Sequence, residues 1–578
     1  MNSFSKNIIN LSGAPDGFDA NILSNFITEK QKSIIFVARD DKRLDLMRKS
    51  LWFFSPNIPI LDFPSWDCLP YDRVSPNADV SSARMATLAA LSSGFEAPIV
   101  LLTTLNAITQ YIPNRTIVSN NSFVAIVGRT INVKELRSYF SKMGFVQTPT
   151  VTEPGDYAIR GGIIDVFPPG ESGPVRMDLF GDELESARRF DPVTQRTVEN
   201  LDRIEFAPVS EVILDDVSIN RFRNNYRKEF GSAGLDDPLY EAISAGRKHQ
   251  GYEHWAPYFH DGMETIFDHL PNAVIFMDEN IERMHTSRWD RINDQYEARL
   301  EALNSKNRLE TVYKPIKPEL FYLSPDDLFD LLNNREQRKF IVLPQPTGPN
   351  SLDMRARIGR NFAPERQNEE LGLFEEFAKH IIEKRKTTSV IIASMSLGAR
   401  ERLYGLLQDQ GLSGMVNIKT WKDINQAIGS ISLAVWHLEH GFEAPGLTII
   451  SEQDVLGELI IRKTNKKRRA KDFLTEASSL SVGDLVVHVD HGVGRYRGLE
   501  TVKAAGAPHD CLLLEYANND RLYLPVENVE LLSRYGHETG LLDRLGGSAW
   551  QAKKAKLKER IREMAGKLLR IAAERSLR

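Results

Sequence analysis

The sequence predicts an α/β multidomain chain: one α/β domain carrying an α+β insert, a second α/β domain, a small β-barrel and a long C-terminal helix. Three observations predict it. The 578 residues exceed what one hydrophobic core organises, so about three to five domains are expected. Short apolar runs alternate with helical stretches over 1–115 and again over 320–457, the pattern of parallel sheets. Between 480 and 535 the period tightens to strand alternation punctuated by glycine.

In the first part, 1–115, Ile34–Ala38, Ile58–Phe63 and Ile99–Thr103 read as buried strands, and Ala83–Leu91 as a helix between two of them. The texture changes over 116–207. Phe123–Val127, Gly162–Phe167, Val175–Phe180 and Arg203–Phe206 read as strands joined by Pro/Gly-rich turns, and Val133–Met143 as a helix, which makes an α+β insert. The α/β domain resumes over 208–314, ending in Ala273–Met277 and a charged helix near 281–305. Pro315 and Pro318 mark a linker into a second α/β domain, 315–460. Its expected strands are Phe340–Leu343, Ser389–Ala393, Val416–Thr420, Ser432–Trp436 and Leu447–Ser451. Leu371–Lys384 and Leu397–Gln410 are its amphipathic helices.

A basic linker, 461–478, leads to the barrel over 479–540. There Leu485, Val487 and Val489 alternate with Val486, His488 and Asp490, and Asn518-Asn519-Asp520 forms a turn between Leu512–Tyr516 and Leu522–Leu524. This module has no catalytic constellation, and an edge strand could pair with a partner's sheet. Over 545–578, Leu557, Ile561, Met564, Leu568 and Ile571 recur at helical spacing, so Trp550–Arg578 reads as a long basic helix.

Composition excludes several classes. Net charge is −5, so no global polycation effect drives nucleic-acid binding, although Arg462–Lys471 and the last helix are locally basic. The two cysteines, Cys68 and Cys511, rule out a disulfide framework and suit a reducing cytoplasm. No apolar run reaches membrane-spanning length, and the N-terminus lacks a secretory pattern.

A phosphate-binding loop needs G-x-x-x-x-G-K-[ST], and no such string occurs. Ser12–Asp19 holds the corresponding position before a helix, but places Phe18 and Asp19 where lysine and a hydroxyl belong, and Asp19 would repel a triphosphate. No cofactor is therefore expected. Asp278-Glu279, after Ala273–Met277, mimics a magnesium-holding carboxylate pair, and Glu452 and Asp454 follow Leu447–Ser451 in the same way; all four read as solvated acids at strand ends. His488 and His491 should point to opposite faces of a strand, and no metal site is expected. There is no nucleophile elbow. In the insert, Arg160, Arg176 and Phe180 combine guanidinium forks with an aromatic ring. They form an interface patch if Arg176 and Phe180 share an exposed face, or a buried phenyl beside solvated arginines if they do not.

Several blocks resemble known families. VVHVDHGVGRYRGL, LEYANNDRLYLPV and LLSRY resemble the RNA-polymerase-interacting domain shared by transcription-repair coupling factors and CarD-type regulators. FPSWDCLPYDRVSP (63–76), RGGIIDVFP (160–168), VRMDLFGDELESARRFDPVTQR (175–196) and GYEHWAPYF (251–259) resemble the excision-repair protein UvrB, the middle two its UvrA-binding domain. EHGFEAPGLTIISEQDVLGE (439–458) and LGGSAWQAKKAKLKERIREMAGKLLRIAAERS (545–576) are similar to coupling-factor segments, the last to the relay helix. Together they identify the chain as a member of the coupling-factor family, matching its N-terminal portion.

The resemblance implies a degenerate RecA-like, UvrB-like α/β domain and an SH3/Tudor-like barrel. It implies UvrA contacts at Arg160, Arg176 and Phe180, and contacts to the RNA polymerase β subunit around Leu499, Glu500, Thr501 and Val502. It implies a monomer in the bacterial cytoplasm, near the nucleoid during repair, meeting damaged DNA through the full-length protein, whose ATP/Mg-dependent motor lies outside these residues. The expectation is a non-catalytic adaptor. The alternatives are a CarD-like transcription regulator and a UvrB-like DNA-dependent ATPase.

Overall fold

The computed structural model describes residues 8–192, 194–231, 237–304, 313–367, 372–424, 427–457, 483–488, 491–504, 507–525, 532–536 and 542. The expected basic linker and the helix Trp550–Arg578 lie outside them. The chain divides into two units, Met1–Leu459 and Ile460–Arg578. It is a mixed α/β multidomain protein built on several sheets.

In the first unit, seven parallel strands stand in the order Ser351–Asp353, Ile8–Ser12, Gln337–Ile341, Val274–Met277, Ile34–Ala38, Val100–Thr104, Ile60–Phe63. Ile34–Ala38 and Val100–Thr104 are buried at every position, as strands covered on both faces must be. Two expectations are corrected here. Ile8–Ser12 is a strand that the sequence pattern did not mark. The strand expected at Phe340–Leu343 in the second α/β domain is Gln337–Ile341, and it lies between Ile8–Ser12 and Val274–Met277 in the first sheet. An apolar run announces a strand, but not which sheet recruits it.

The remaining strands of that region form a second, six-stranded mixed sheet in which Ser389–Ser394 runs parallel to Ile431–Val435 and Leu447–Ser451. One apolar cluster joins the two sheets. Its centre is Trp436, stacked on Phe53 at 4.4 Å and edge-on to Phe54 at 5.3 Å, with its indole N–H donated to Ser50 Oγ at 3.1 Å. A buried tryptophan satisfied in this way contributes both area and orientation.

The insert is a six-stranded sheet, ordered Thr197–Leu201, Glu183–Phe190, Val175–Phe180, Ile163–Val166, Asp156–Arg160, Val146–Gln147, with the helix Val133–Lys142 and the pair Phe123–Ile126/Arg203–Phe206 closing its core. Phe123 stacks on Phe206 at 4.7 Å, and the fully buried Phe140 packs against Phe206 and Tyr157.

The second unit contains a five-stranded antiparallel sheet, ordered Arg521–Pro525, Ala507–Glu515, Gly492–Ala504, Leu485–His488, Leu532–Gly536. Val486, Tyr496, Leu512, Leu514, Tyr516 and Leu524 are its core. The glycine at 494 is a packing requirement: a Cβ there would stand 3.0 Å from the Tyr516 ring. The turn expected at Asn518-Asn519 exists, with both residues at positive φ. No described helix is long and apolar enough to cross a membrane.

Candidate docking surfaces and a closed phosphate loop

The strand Val175–Phe180 sorts its side chains by the two-residue period of a sheet. Val175, Met177 and Leu179 turn to the insert core, leaving Arg176, Asp178 and Phe180 on the other face. Phe180 is 80% exposed, which settles the alternative left open by the sequence. It stands beside Gly181, at positive φ, where the hairpin turns away. Gly162, in the neighbouring turn, lies so close that a Cβ would meet the Leu179 carbonyl oxygen at 2.7 Å.

Arg176 is not a solvated arginine. Its Nε and Nη2 donate to the two oxygens of Asp165 at 2.7 and 2.8 Å, and its guanidinium lies 4.8 Å from the Phe190 ring centre. The bond to Asp165 raises the guanidinium pKa above its ordinary value. Register explains the pairing, since Asp165 sits directly opposite Arg176 on Ile163–Val166 and opposite Ala158 on the other side. Arg160, mostly exposed, donates to the Pro149 carbonyl and places Nη1 4.0 Å from the same carboxylate. Farther along the face, Asp178 accepts from Arg188 and from Ser186 Oγ, the latter at 2.7 Å. Ile163, half-exposed, adds apolar area. The three expected residues thus share one sheet face, with the guanidinium of Arg176 held by Asp165. Asp165 was missed by motif reading; the signal is cross-strand register, invisible until the strands are paired.

In the second unit, Leu499 is 48% exposed, Glu500 and Thr501 are exposed and Val502 is half-buried. These residues face Leu512, Cys511, Asp510 and His509 across the hairpin. The ladder to Leu485–His488 ends at Arg495, so beyond it the described strand registered against Gly492–Ala504 is Ala507–Glu515 alone. The expectation for His488 and His491 is corrected. His488 ends one strand and His491 stands just before the next, and the two rings lie 4.6 Å apart. Among the described residues, no group of three or more His, Cys, Asp or Glu is placed to hold a metal.

Ser12–Asp19 does lie between a strand and a helix, Phe18–Lys30. Its amides are already taken: Asp19 accepts from Gly17 N at 2.9 Å and from Ala20 N at 2.7 Å. Asp19 is buried against Arg43, whose side chain is 1% exposed. Arg43 Nε also meets Asp278 at 3.1 Å and Asp16 at 3.4 Å. The Asp19 carboxyl is raised to about 7, chiefly by burial and further by Asp16 and Asp278, against the downward pull of Arg43. Asp278 is therefore not a solvated strand end. It is buried, it receives Arg39 N at 3.0 Å, and desolvation raises its pKa. Glu452 and Asp454 are corrected likewise. Glu452 accepts Met395 N at 2.8 Å, and Asp454 accepts Gly441 N at 2.5 Å and faces His440 Nδ1 at 3.1 Å. A carboxylate at a strand end can be buried when backbone amides or a guanidinium answer it. A triphosphate entering the loop would meet three carboxylates and an arginine already engaged.

Comparison with known families matches three segments: the UvrB interaction domain over 125–211, the MFD D3 domain over 383–455 and the CarD-like/TRCF RID domain over 480–536. Proteins named transcription-repair-coupling factor align along nearly the whole chain. The Rickettsia bellii protein is 31% identical over 556 residues, 96% of this chain and 48% of that protein. The Haemophilus influenzae protein is 30% identical over 97% of this chain and 48% of its own length, and the Escherichia coli protein 30% identical over 89% and 44%. The chain spans about half the length of the curated relatives it matches.

Proposed function

Because the chain belongs to the transcription-repair-coupling factor family, we propose that it acts in transcription-coupled DNA repair as an adaptor, holding RNA polymerase stalled at a lesion through the 480–536 sheet and recruiting UvrA through the insert. The observation that carries this is the insert face. An exposed phenyl stands beside a guanidinium fixed by Asp165, an arrangement that binds a partner without reordering two long side chains first. Arg160, Arg176 and Phe180 are the UvrA contacts in this reading. Leu499, Glu500, Thr501 and Val502 meet the polymerase β subunit, helped by a strand that ends its ladder early on one side.

The first α/β domain is a degenerate RecA-like, UvrB-like fold whose loop seats no ATP or magnesium, because Arg43, Asp16, Asp19 and Asp278 neutralise one another there. The five-stranded sheet is an SH3/Tudor-like barrel, while the segment 545–578, expected as the relay helix, lies outside the described residues. The full-length family protein adds an ATP-driven translocase that acts on DNA and releases polymerase. The chain works as a monomer in the bacterial cytoplasm.

The test is capture on the immobilised chain. The wild type should retain both purified UvrA and purified RNA polymerase. Phe180→Ala should lose UvrA alone and Leu499→Asp polymerase alone. Retention of polymerase without any UvrA affinity would instead make the chain a CarD-like regulator, and ATP turnover by the purified chain would end the adaptor reading.

A further inference from the structure

A cleft of about 170 Å³ opens in the first unit where the loop after Ile60–Phe63 meets the helix Ile281–Asn304. Trp66, Asp67, Gln110, Arg288, Arg291 and Gln295 line it. Among the described residues, several of its polar groups are left without a partner. Arg288 meets no carboxylate among the described residues; its Nε reaches the Thr109 hydroxyl at 3.2 Å and its Nη2 the Asn106 carbonyl at 3.5 Å. Burial lowers its pKa, and Arg291 alongside lowers it further. Arg291, exposed at the rim, makes no ion pair among the described residues. Gln110 is 3% exposed and its Nε2 has no acceptor, while Gln295 Oε1 has no donor. The one acid of the lining, Asp67, accepts the Asn77 amide at 3.0 Å.

A cation taken from water without a counter-charge is costly, and an orphaned buried amide adds to that cost. Two guanidinium groups and an amide donor converging on one space favour a tetrahedral oxyanion, since arginine matches phosphate oxygens in pairs. The volume is below the roughly 300–1,000 Å³ that encloses a whole drug-sized ligand, so the cleft takes a single group of something larger or a small anion. We propose that this cleft is a phosphate-recognition site, seating one phosphate of a single-stranded DNA backbone or a free phosphate, with Arg288, Arg291 and Gln110 as its donors. The site stands apart from both docking surfaces and does not depend on the adaptor reading.

The intact chain is titrated with inorganic phosphate by calorimetry and with a short labelled oligothymidylate by anisotropy over a salt series. Circular dichroism checks that each variant folds. Arg291→Ala, at an exposed position, should weaken whichever probe binds by about tenfold. It should also lower the slope of log affinity against log salt for the oligonucleotide by about one. Gln110→Glu, which sets a carboxylate of equal size against the anion, should abolish binding. Arg283→Ala, exposed on the same helix but outside the cleft lining, should leave it unchanged. Loss of oligonucleotide binding alone assigns the backbone as ligand, and loss of phosphate binding assigns the free anion. A wild type that binds neither probe, Arg291→Ala or Gln110→Glu variants that bind as the wild type does, or an Arg283→Ala effect equal to that of Arg291→Ala would overturn the proposal.

Discussion

Phe180→Ala separates docking from folding more cleanly than any other change in the insert. The phenyl is 80% exposed and contributes little to the core, so truncation should leave the unfolding midpoint within experimental error of the wild type. Its value lies in what a partner would cover. Full burial of such a side chain is worth about 1.5–3 kcal/mol, and four-fifths of that is roughly 2 kcal/mol, or about thirtyfold in Kd. Arg176→Ala is the contrasting perturbation. It deletes the bidentate partner of Asp165, whose side chain is only 5% exposed, so it should lower stability by about 1–3 kcal/mol as well as weakening the partner. Surface plasmon resonance with purified UvrA, beside thermal unfolding of each variant, reads both quantities. If Phe180→Ala binds UvrA with unchanged affinity, or if its weakened binding accompanies a fall in stability, the face has been misassigned.

Arg43→Leu should cost the first unit about 3–5 kcal/mol, because it strands Asp19 and Asp278 without their buried cation; a urea midpoint equal to that of the wild type would show the cluster to be dispensable. Leu499→Asp should weaken polymerase capture by about tenfold with no change in unfolding temperature, since the side chain is already half in water. Glu253 supplies a pH signature. Burial raises its carboxyl from 4.5 to about 7, so the folded state holds that proton more tightly than the unfolded chain does. Its contribution is whole below about pH 4.5 and is lost as pH rises through about 7. Glu253→Gln should therefore reduce the decline in urea midpoint between about pH 5 and pH 8, and an unaltered decline would assign it to other groups.

What could be read from sequence was local. Ile34–Ala38, Val175–Phe180, Arg203–Phe206 and Leu447–Ser451 are strands at the expected residues, because an apolar or alternating run bounded by turn residues carries its own evidence. Arg160, Arg176 and Phe180 were singled out through their motif as candidates. Their mutual geometry was not, since it depends on Asp165 lying opposite Arg176. Long-range recruitment was equally hidden. Gln337–Ile341 pairs with a strand more than three hundred residues earlier, and no period in either run records that. Three of the four acids at strand ends were misread for the same reason, Glu279 being exposed as expected: buried Asp278 is answered by Arg43, from the helix Asp41–Phe54, and by the Arg39 amide.

Two buried charge clusters in the first unit fix neighbouring segments by the same means. Arg84, fully buried, donates Nε and Nη2 to Glu211 at 2.5 and 3.1 Å while its guanidinium stacks 4.1 Å from the Phe63 ring. Trp66 adds its indole N–H to the same carboxylate at 3.0 Å. Glu211 lies where the chain leaves the insert, and Phe63 and Trp66 belong to the first α/β domain, so this pair ties the insert to its host. A hydrophobic contact there could slide. A carboxylate with three charge-directed donors cannot move far without leaving an uncompensated buried ion. The Arg43 cluster does the same for the loop Ser12–Asp19, tying it to Asp278 at the end of Val274–Met277. Both clusters hold their segments with internal ion pairs, so displacing either segment would expose an uncompensated buried charge.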